Sequence, residues 1–163
     1  MRKITQAEFD AFPIIDGVRR CPGQTDYSLV GSFGPGASFG EGASFGPHAR
    51  FGSDASFGEG ASFGEGASFG AGCKLENTKP IIGSAVYSFG GFGRENRTTY
   101  MIPTKSGIFV RCGCWSGLIW AFRERVVEVH GDSAIAAEYL AICDVAEIRW
   151  KRELSTLGAG EVE

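Results

Sequence analysis

The residues best suited to chemistry lie between Gly90 and Asp132. Gly90-Gly91-Phe92-Gly93 reads as a turn, and Arg94 and Arg97 follow it. Successive backbone N–H groups in a glycine turn can form an anion-binding concavity, and arginine presents a planar fork that matches phosphate. Gly91, Gly93, Arg94 and Arg97 are therefore candidate ligand-binding residues. Thr99, Tyr100, Arg111 and Trp115 join them if the following hairpin folds alongside. A bare glycine turn with solvated arginines is the competing reading.

Three other groups offer chemistry and carry less of it. His130-Gly131-Asp132 resembles a catalytic pair, but the same residues serve as a dipole partner in a last helical turn, a C-cap, and the start of the next helix. Cys112-Gly113-Cys114 puts both sulfurs on one face of a strand, yet zinc needs two further ligands and Cys73, Cys143 and His130 stand at no recognisable spacing. His48 lies alone between Pro47 and Ala49 and reads as a solvated corner. No catalytic or metal-binding residue is assigned, and no cofactor is implied.

The elements that must position the glycine-arginine turn begin where the composition changes, after Lys79-Pro80. Residues 81–87, 98–102 and 107–112 are β-prone, and Pro103 with Lys105-Ser106-Gly107 makes the hairpin loop between the last two. Ser116 is a cap for a helix to about residue 129, with Leu118, Ile119, Phe122, Val126 and Val129 on one stripe and Arg123, Glu124, Arg125 and Glu128 mostly on the other. Gly131 ends it, and Asp132 or Ser133 starts a last helix to about residue 153 that turns Ile135, Tyr139, Ile142, Ala146 and Trp150 inward. Residues 157–163 are expected to fray.

Before this module the chain is a repeat. Phe33, Phe39, Phe45, Phe51, Phe57, Phe63 and Phe69 recur every six residues, each followed by Gly, with Ala two before each except at Gly31. The register extends back to Tyr27 and Cys21 and forward to Leu75 and Ile81. A strict short period means one small unit stacked on itself. Side chains alternate along a strand, so Ala37 and Phe39 share the inner face while Ser38 faces water. Gly36, Gly42, Gly60 and Gly66 supply corners. Disordered low complexity is the alternative, but it requires neither a small residue at a fixed offset nor a register that outlasts the motif. The unit Phe-Gly-x-x-Ala-x resembles the hexapeptide repeat of left-handed parallel β-helices, which implies three hexapeptides to each triangular coil. Residues 5–12 read as a short helix, with Thr5 and Glu8 as a capping box and Pro13 as terminator. Its Phe9 and Phe12, with Ile14 and Ile15, are expected to cap the stack.

The expected fold is mainly β: a cap over residues 1–20, a short left-handed parallel β-helix over 21–82, and a C-terminal α+β module of order β-β-β-α-α over 83–163. Burial of the phenylalanines alone does not offset the backbone entropy of so glycine-rich a segment. Association into a homo-oligomer through one flat face is therefore expected, and the resemblance to hexapeptide-repeat proteins implies a trimer.

With 16 basic and 19 acidic residues the formal charge is −3, which gives no global basic field for nonspecific nucleic-acid binding. Five cysteines and a start without an apolar core fit a reducing, cytoplasmic setting, and no apolar run is long enough to span a membrane. Glu41 stacking under Glu59 gives only a weak acidic column, which counts against mimicry of DNA.

Taken together, the Ser-Phe-Gly-Glu-Gly repeats, Ile14-Ile15-Asp16-Gly17, Cys21-Pro22, Arg97-Thr98-Thr99-Tyr100, Val110-Arg111-Cys112-Gly113-Cys114, His130-Gly131-Asp132 and Tyr139-Leu140-Ala141-Ile142 resemble a family of uncharacterised hexapeptide-repeat proteins encoded in phage and prophage genomes. Members often carry Cys two before Phe, where this chain has Ala except at Cys73. The resemblance implies a phage origin and brings no activity; with the cytoplasmic setting read from the cysteines, the expected place is the host cytoplasm. The expected function is non-enzymatic binding that counteracts host defence, by sequestering a phosphorylated nucleotide signal or by binding a defence protein. A hexapeptide-type acyltransferase using His48 or His130, and a structural or virion-assembly part, are the rival expectations.

Overall fold

A computed structural model describes residues 1–94 and 97–161, the last three by backbone alone. The chain divides into two compact units, Met1–Val86 and Tyr87–Glu163. It is mainly β, with two long helices at its C-terminal end.

The first unit runs β1 (Arg2–Lys3), α1 (Gln6–Asp10), β2 (Ile14–Ile15), β3 (Val18–Cys21), β4 (Thr25–Asp26), β5 (Ala37–Phe39), β6 (Arg50–Phe51), β7 (Ser56–Phe57), β8 (Ser68–Phe69), β9 (Lys74–Leu75) and β10 (Lys79–Pro80). Strands β3, β5, β7 and β9 pair parallel, joining Arg19 to Ala37, Ser38 to Ser56 and Ser56 to Lys74. Strands β6 and β8 pair in the same sense, as do the bridges from Asp26 to Ser44 and Ser44 to Ser62. Paired serines lie eighteen residues apart, three hexapeptides, and the Ser38–Ser56 and Ser44–Ser62 hydroxyls meet at 3.2 Å on the outside.

Two glycine columns have different physical causes. A Cβ on Gly58 would stand 2.6 Å from the Glu41 amide nitrogen, and the glycine after each Phe from Phe39 to Phe69 likewise leaves room for the neighbouring backbone. Three residues after each Phe the backbone turns through positive φ, from 59° at His48 and Asp54 to 79° at Gly72. At these corners the amides of Gly36, Gly42, His48 and Asp54 donate to Ser53, Glu59, Glu65 and Ala71 carbonyls at 2.7–2.9 Å. His48 is thus a corner residue.

Inside, Phe39 lies 5.4 Å from Phe57 and Phe45 5.3 Å from Phe63, with planes 4° and 10° apart. Successive phenylalanines meet edge to face, as Phe39 and Phe45 do at 4.8 Å. Helix α1 carries the expected capping box of Thr5 and Glu8. Its Phe9 packs edge-on to Phe33 at 5.2 Å and is 2% exposed. Arg19 fastens it, donating to the Phe9, Asp10 and Phe12 carbonyls at 2.6–3.1 Å while its guanidinium covers the Phe9 ring. Ile14 and Ile15 do not share the capping role: they are 60% and 52% exposed, because β2 is the edge strand beyond β3 and both of its faces are open to solvent. At the other end β10 pairs antiparallel with β9, and Ile81 and Ile82 are buried within this unit.

The second unit is an antiparallel sheet of β11 (Tyr87–Gly90), β12 (Thr98–Thr104), β13 (Gly107–Cys112) and β14 (Trp115–Leu118), followed by α2 (Ile119–His130) and α3 (Ala134–Glu161). The fourth strand corrects the expected order: Ser116 pairs with Arg111 in the sheet instead of capping a helix, and α2 starts after Leu118 without a side-chain cap. Gly131 ends α2 at φ 59°, and the Ser133 hydroxyl accepts the Ala136 amide at the start of α3. Helix α3 runs well past residue 153, and of the tail expected to fray only residues 162 and 163 lie outside the described residues. Met101, Ile108 and Val110 of the sheet pack with Phe122 and Val126 of α2 and Ile142, Cys143 and Ala146 of α3. Trp150 donates to the Thr104 carbonyl at 2.7 Å, and Tyr87 to the Glu153 carboxylate at 2.6 Å, which hold α3 along the sheet. Among the described residues no helix is long and apolar enough to cross a membrane.

Candidate functional site: an arginine-lined pocket in the C-terminal unit

Strand pairing decides which expected site residues can meet. Thr99, Cys112 and Trp115 are direct neighbours across β12, β13 and β14, and so share one face. Tyr100, Arg111 and Ser116 form the adjacent row and point to the opposite face. Tyr100 and Arg111 are thereby separated from Trp115, because one residue along a strand reverses the side chain.

On the Trp115 side lies a cavity of about 250 Å³ whose wall includes Arg94, Arg97, Trp115, Arg125, His130 and Tyr139. Cys112, Cys114, Phe122, Val126 and Val129 complete the lining. The structure therefore brings together Arg94, Arg97 and Trp115 of the expected set. It buries Thr99 completely behind the pocket, where its hydroxyl donates to the Cys112 sulfur at 3.4 Å. Gly91 has open space around it at φ 79° and serves the turn.

The glycine turn is not an anion cradle. Three of its amides are already engaged, those of Gly91, Gly93 and Arg94: Gly91 donates to the Arg97 carbonyl at 3.3 Å, Gly93 to the Glu138 carboxylate at 2.6 Å, and Arg94 to the Tyr139 hydroxyl at 2.9 Å. Gly93 also lies so close to the Tyr139 ring that a Cβ has no room, at a φ of 75°. The turn thus docks on α3 and presents arginine side chains rather than backbone to the cavity.

Each wall residue has a local reason for its position. A Cβ on Gly113, at φ 60°, would meet the Arg97 guanidinium at 2.7 Å, so the turn after β13 is a seat for Arg97. Trp115 packs at 5.4 Å from the Phe122 ring, tilted by 45°. Tyr139 lies edge-on to Phe122 at 5.7 Å and tilted against His130 at the same distance. Burial pushes the Tyr139 hydroxyl up from its ordinary pKa, against the pull of the Arg94 amide and the Arg97 charge. It is therefore a neutral hydrogen-bonding group at physiological pH.

The charge balance is lopsided. Arg125 pairs with Glu128 at 3.2 Å, and the Glu138 carboxylate is held by the Gly93 amide. Among the described residues Arg94 and Arg97 form no ion pair with a carboxylate. Nor does any group of three His, Cys, Asp or Glu able to hold a metal occur among them, so the pocket cysteines have no companion ligands there. Such a wall can attract an anion, fork-bind it and pack an aromatic group beside it.

Sequence reasoning missed Arg125, His130, Tyr139, Cys112 and Cys114 as pocket residues. The stripe of Phe122, Val126 and Val129 on α2 was legible, and Arg125 and His130 flank that stripe at helical spacing. Tyr139 was read as core, which it also is at 2% exposed. Compared with protein-family models, with curated proteins and with solved structures, the chain matches none.

Proposed function

We propose that this chain is a phage-encoded, non-enzymatic binding protein that counteracts host defence by sequestering a phosphorylated nucleotide signal. The observation that carries the reading is the cavity walled by Arg94, Arg97, Arg125, His130 and Trp115. Guanidinium groups bind phosphate by paired, charge-assisted hydrogen bonds, and a tryptophan face accepts a base. Isothermal titration of the full chain with a panel of cyclic nucleotides, mononucleotides and ADP-ribose is the test. Binding of at least one compound, abolished by Arg97→Ala, is expected; no binding by any of them overturns sequestration.

The first unit supplies scaffold in this reading. Its eighteen-residue parallel register, positive-φ corners and stacked phenylalanines support a short left-handed β-helix, and its flat serine faces are suited to homo-oligomer contact. A handedness measured from an experimental density map, and sedimentation of the purified chain, test the two points.

Binding of a defence protein is a second reading. It is favoured by Trp120 and Val127, seven residues apart on one face of α2 and 61% and 52% exposed. Trp120→Glu is expected to abolish capture of a host protein without changing nucleotide titration.

A further inference from the structure

The dimensions and charge of the arginine pocket narrow its ligand, an argument that rests on the phosphorylated-nucleotide reading above. Pockets that enclose drug-sized ligands run from about 300 to 1,000 Å³. This one holds about 250 Å³, a volume that matches one base, sugar and phosphate partly open to solvent more closely than two such units.

Charge points the same way. Arg125 is engaged by Glu128, which leaves Arg94 and Arg97 as the guanidinium pair without a carboxylate partner among the described residues. Two such charges match a phosphomonoester, which carries about −1.5 to −2 at neutral pH, better than a cyclic diester with its single charge. His130 adds an imidazole to the same wall.

Placement of the aromatic group completes the fit. Arg97 is seated on Gly113, and Trp115 follows two residues later on the same turn into β14. Arg97 and Trp115 therefore stand on one wall, where a phosphate at the guanidinium and a base at the indole belong to the same cavity. The rest of the aromatic wall is fixed, since Phe122 backs Trp115 and Tyr139 is buried behind it.

We infer that the pocket binds a single nucleoside monophosphate unit with a terminal phosphate, the phosphomonoester between Arg94 and Arg97 and the base against Trp115. Titration calorimetry of the full chain with the four 5′-ribonucleoside monophosphates, their nucleosides, 3′,5′-cyclic AMP and GMP, cyclic di-AMP, cyclic di-GMP, ADP-ribose and inorganic phosphate tests it. At least one monophosphate is expected to bind tenfold or more tighter than its nucleoside and than any cyclic diester. Arg94→Ala and Arg97→Ala each lower that affinity at least tenfold. Trp115→Leu lowers affinity for the monophosphate and leaves that for inorganic phosphate in place, which also reports that the variant is folded. Tighter binding of a cyclic dinucleotide or of ADP-ribose overturns the single-unit assignment and leaves sequestration standing. Silence across the panel overturns both.

Discussion

The Gly93 amide donates to the Glu138 carboxylate at 2.6 Å, and the next amide, of Arg94, donates to the hydroxyl of Tyr139, the next residue of α3. Two consecutive amides thus clip to two consecutive residues of a helix. This clip sets where the Arg94 and Arg97 side chains leave the backbone.

Removing half the clip by Glu138→Ala should therefore loosen the turn rather than the fold. A hydrogen bond to a charged group contributes about 1.5–3 kcal/mol at most, and less at an exposed carboxylate such as this one. The expected outcome is faster amide exchange over residues 91–94, unchanged exchange in β12 and β13, and weaker nucleotide binding. Unchanged exchange at Gly93 would show that Glu138 does not hold the turn.

Gly91 and Gly93 make an internal control. Both have positive φ, but only Gly93 has the Tyr139 ring where its Cβ would stand. Gly91→Ala should cost about 1 kcal/mol, the backbone penalty alone. Gly93→Ala should cost more and weaken nucleotide binding, because Tyr139 or the turn must move. Equal losses in denaturant unfolding would remove the steric argument.

The repeat allows the same separation of causes. Gly58→Ala places a methyl against the Glu41 backbone and is expected to destabilise the first unit by about 1–3 kcal/mol, as overpacking does. His48→Gly relieves a non-glycine residue at φ 59° and should be neutral or slightly stabilising. Chemical denaturation followed by a probe in the first unit checks both, and a large loss from His48→Gly would restore His48 as more than a corner.

How much of this was legible follows from the range of each interaction. The repeat register, the Thr5–Glu8 capping box and the Gly131 helix end are local patterns, and each appears at the expected residues. Ser116 looked like a cap because Ser before an apolar helical stripe is the local signature; pairing of β14 with β13 overrode it. Ile14 and Ile15 looked like cap residues by hydrophobicity, but they form an edge strand beside β3 with both faces open to solvent. At the site, the arginines were legible as phosphate forks. That the turn amides would be engaged by Glu138 and Tyr139, 45 residues away, was not, since nothing in the sequence records a contact over that distance.

Thiol chemistry reports on the pocket directly. Cys21, Cys73, Cys112 and Cys143 are buried, whereas Cys114 is exposed on the cavity wall. Burial pushes the Cys21 and Cys143 thiols up to about 12, so they stay protonated and unreactive at neutral pH. Native alkylation should modify Cys114 first, at one thiol per chain in the mass spectrum, and bound monophosphate should slow it. Early modification of Cys143 would contradict the packing of α3 against the sheet.

The same burial sets the alkaline limit of the fold. Cys21 and Cys143 titrate near 12 in the folded chain but near about 8.5 when unfolded, and burial likewise raises the Tyr27 and Tyr87 hydroxyls above their usual range. Above pH about 8.5 the unfolded chain therefore binds fewer protons than the folded one, and stability must fall as pH rises. The contribution is complete below that point and is lost progressively toward pH 12. Thermal unfolding midpoints measured from pH 7 to 11 should decline above pH about 8.5. Cys143→Ala should flatten part of that decline in the second unit, because it removes one of the protons involved. A midpoint that holds level through pH 10 would mean that these groups are not desolvated in the native state.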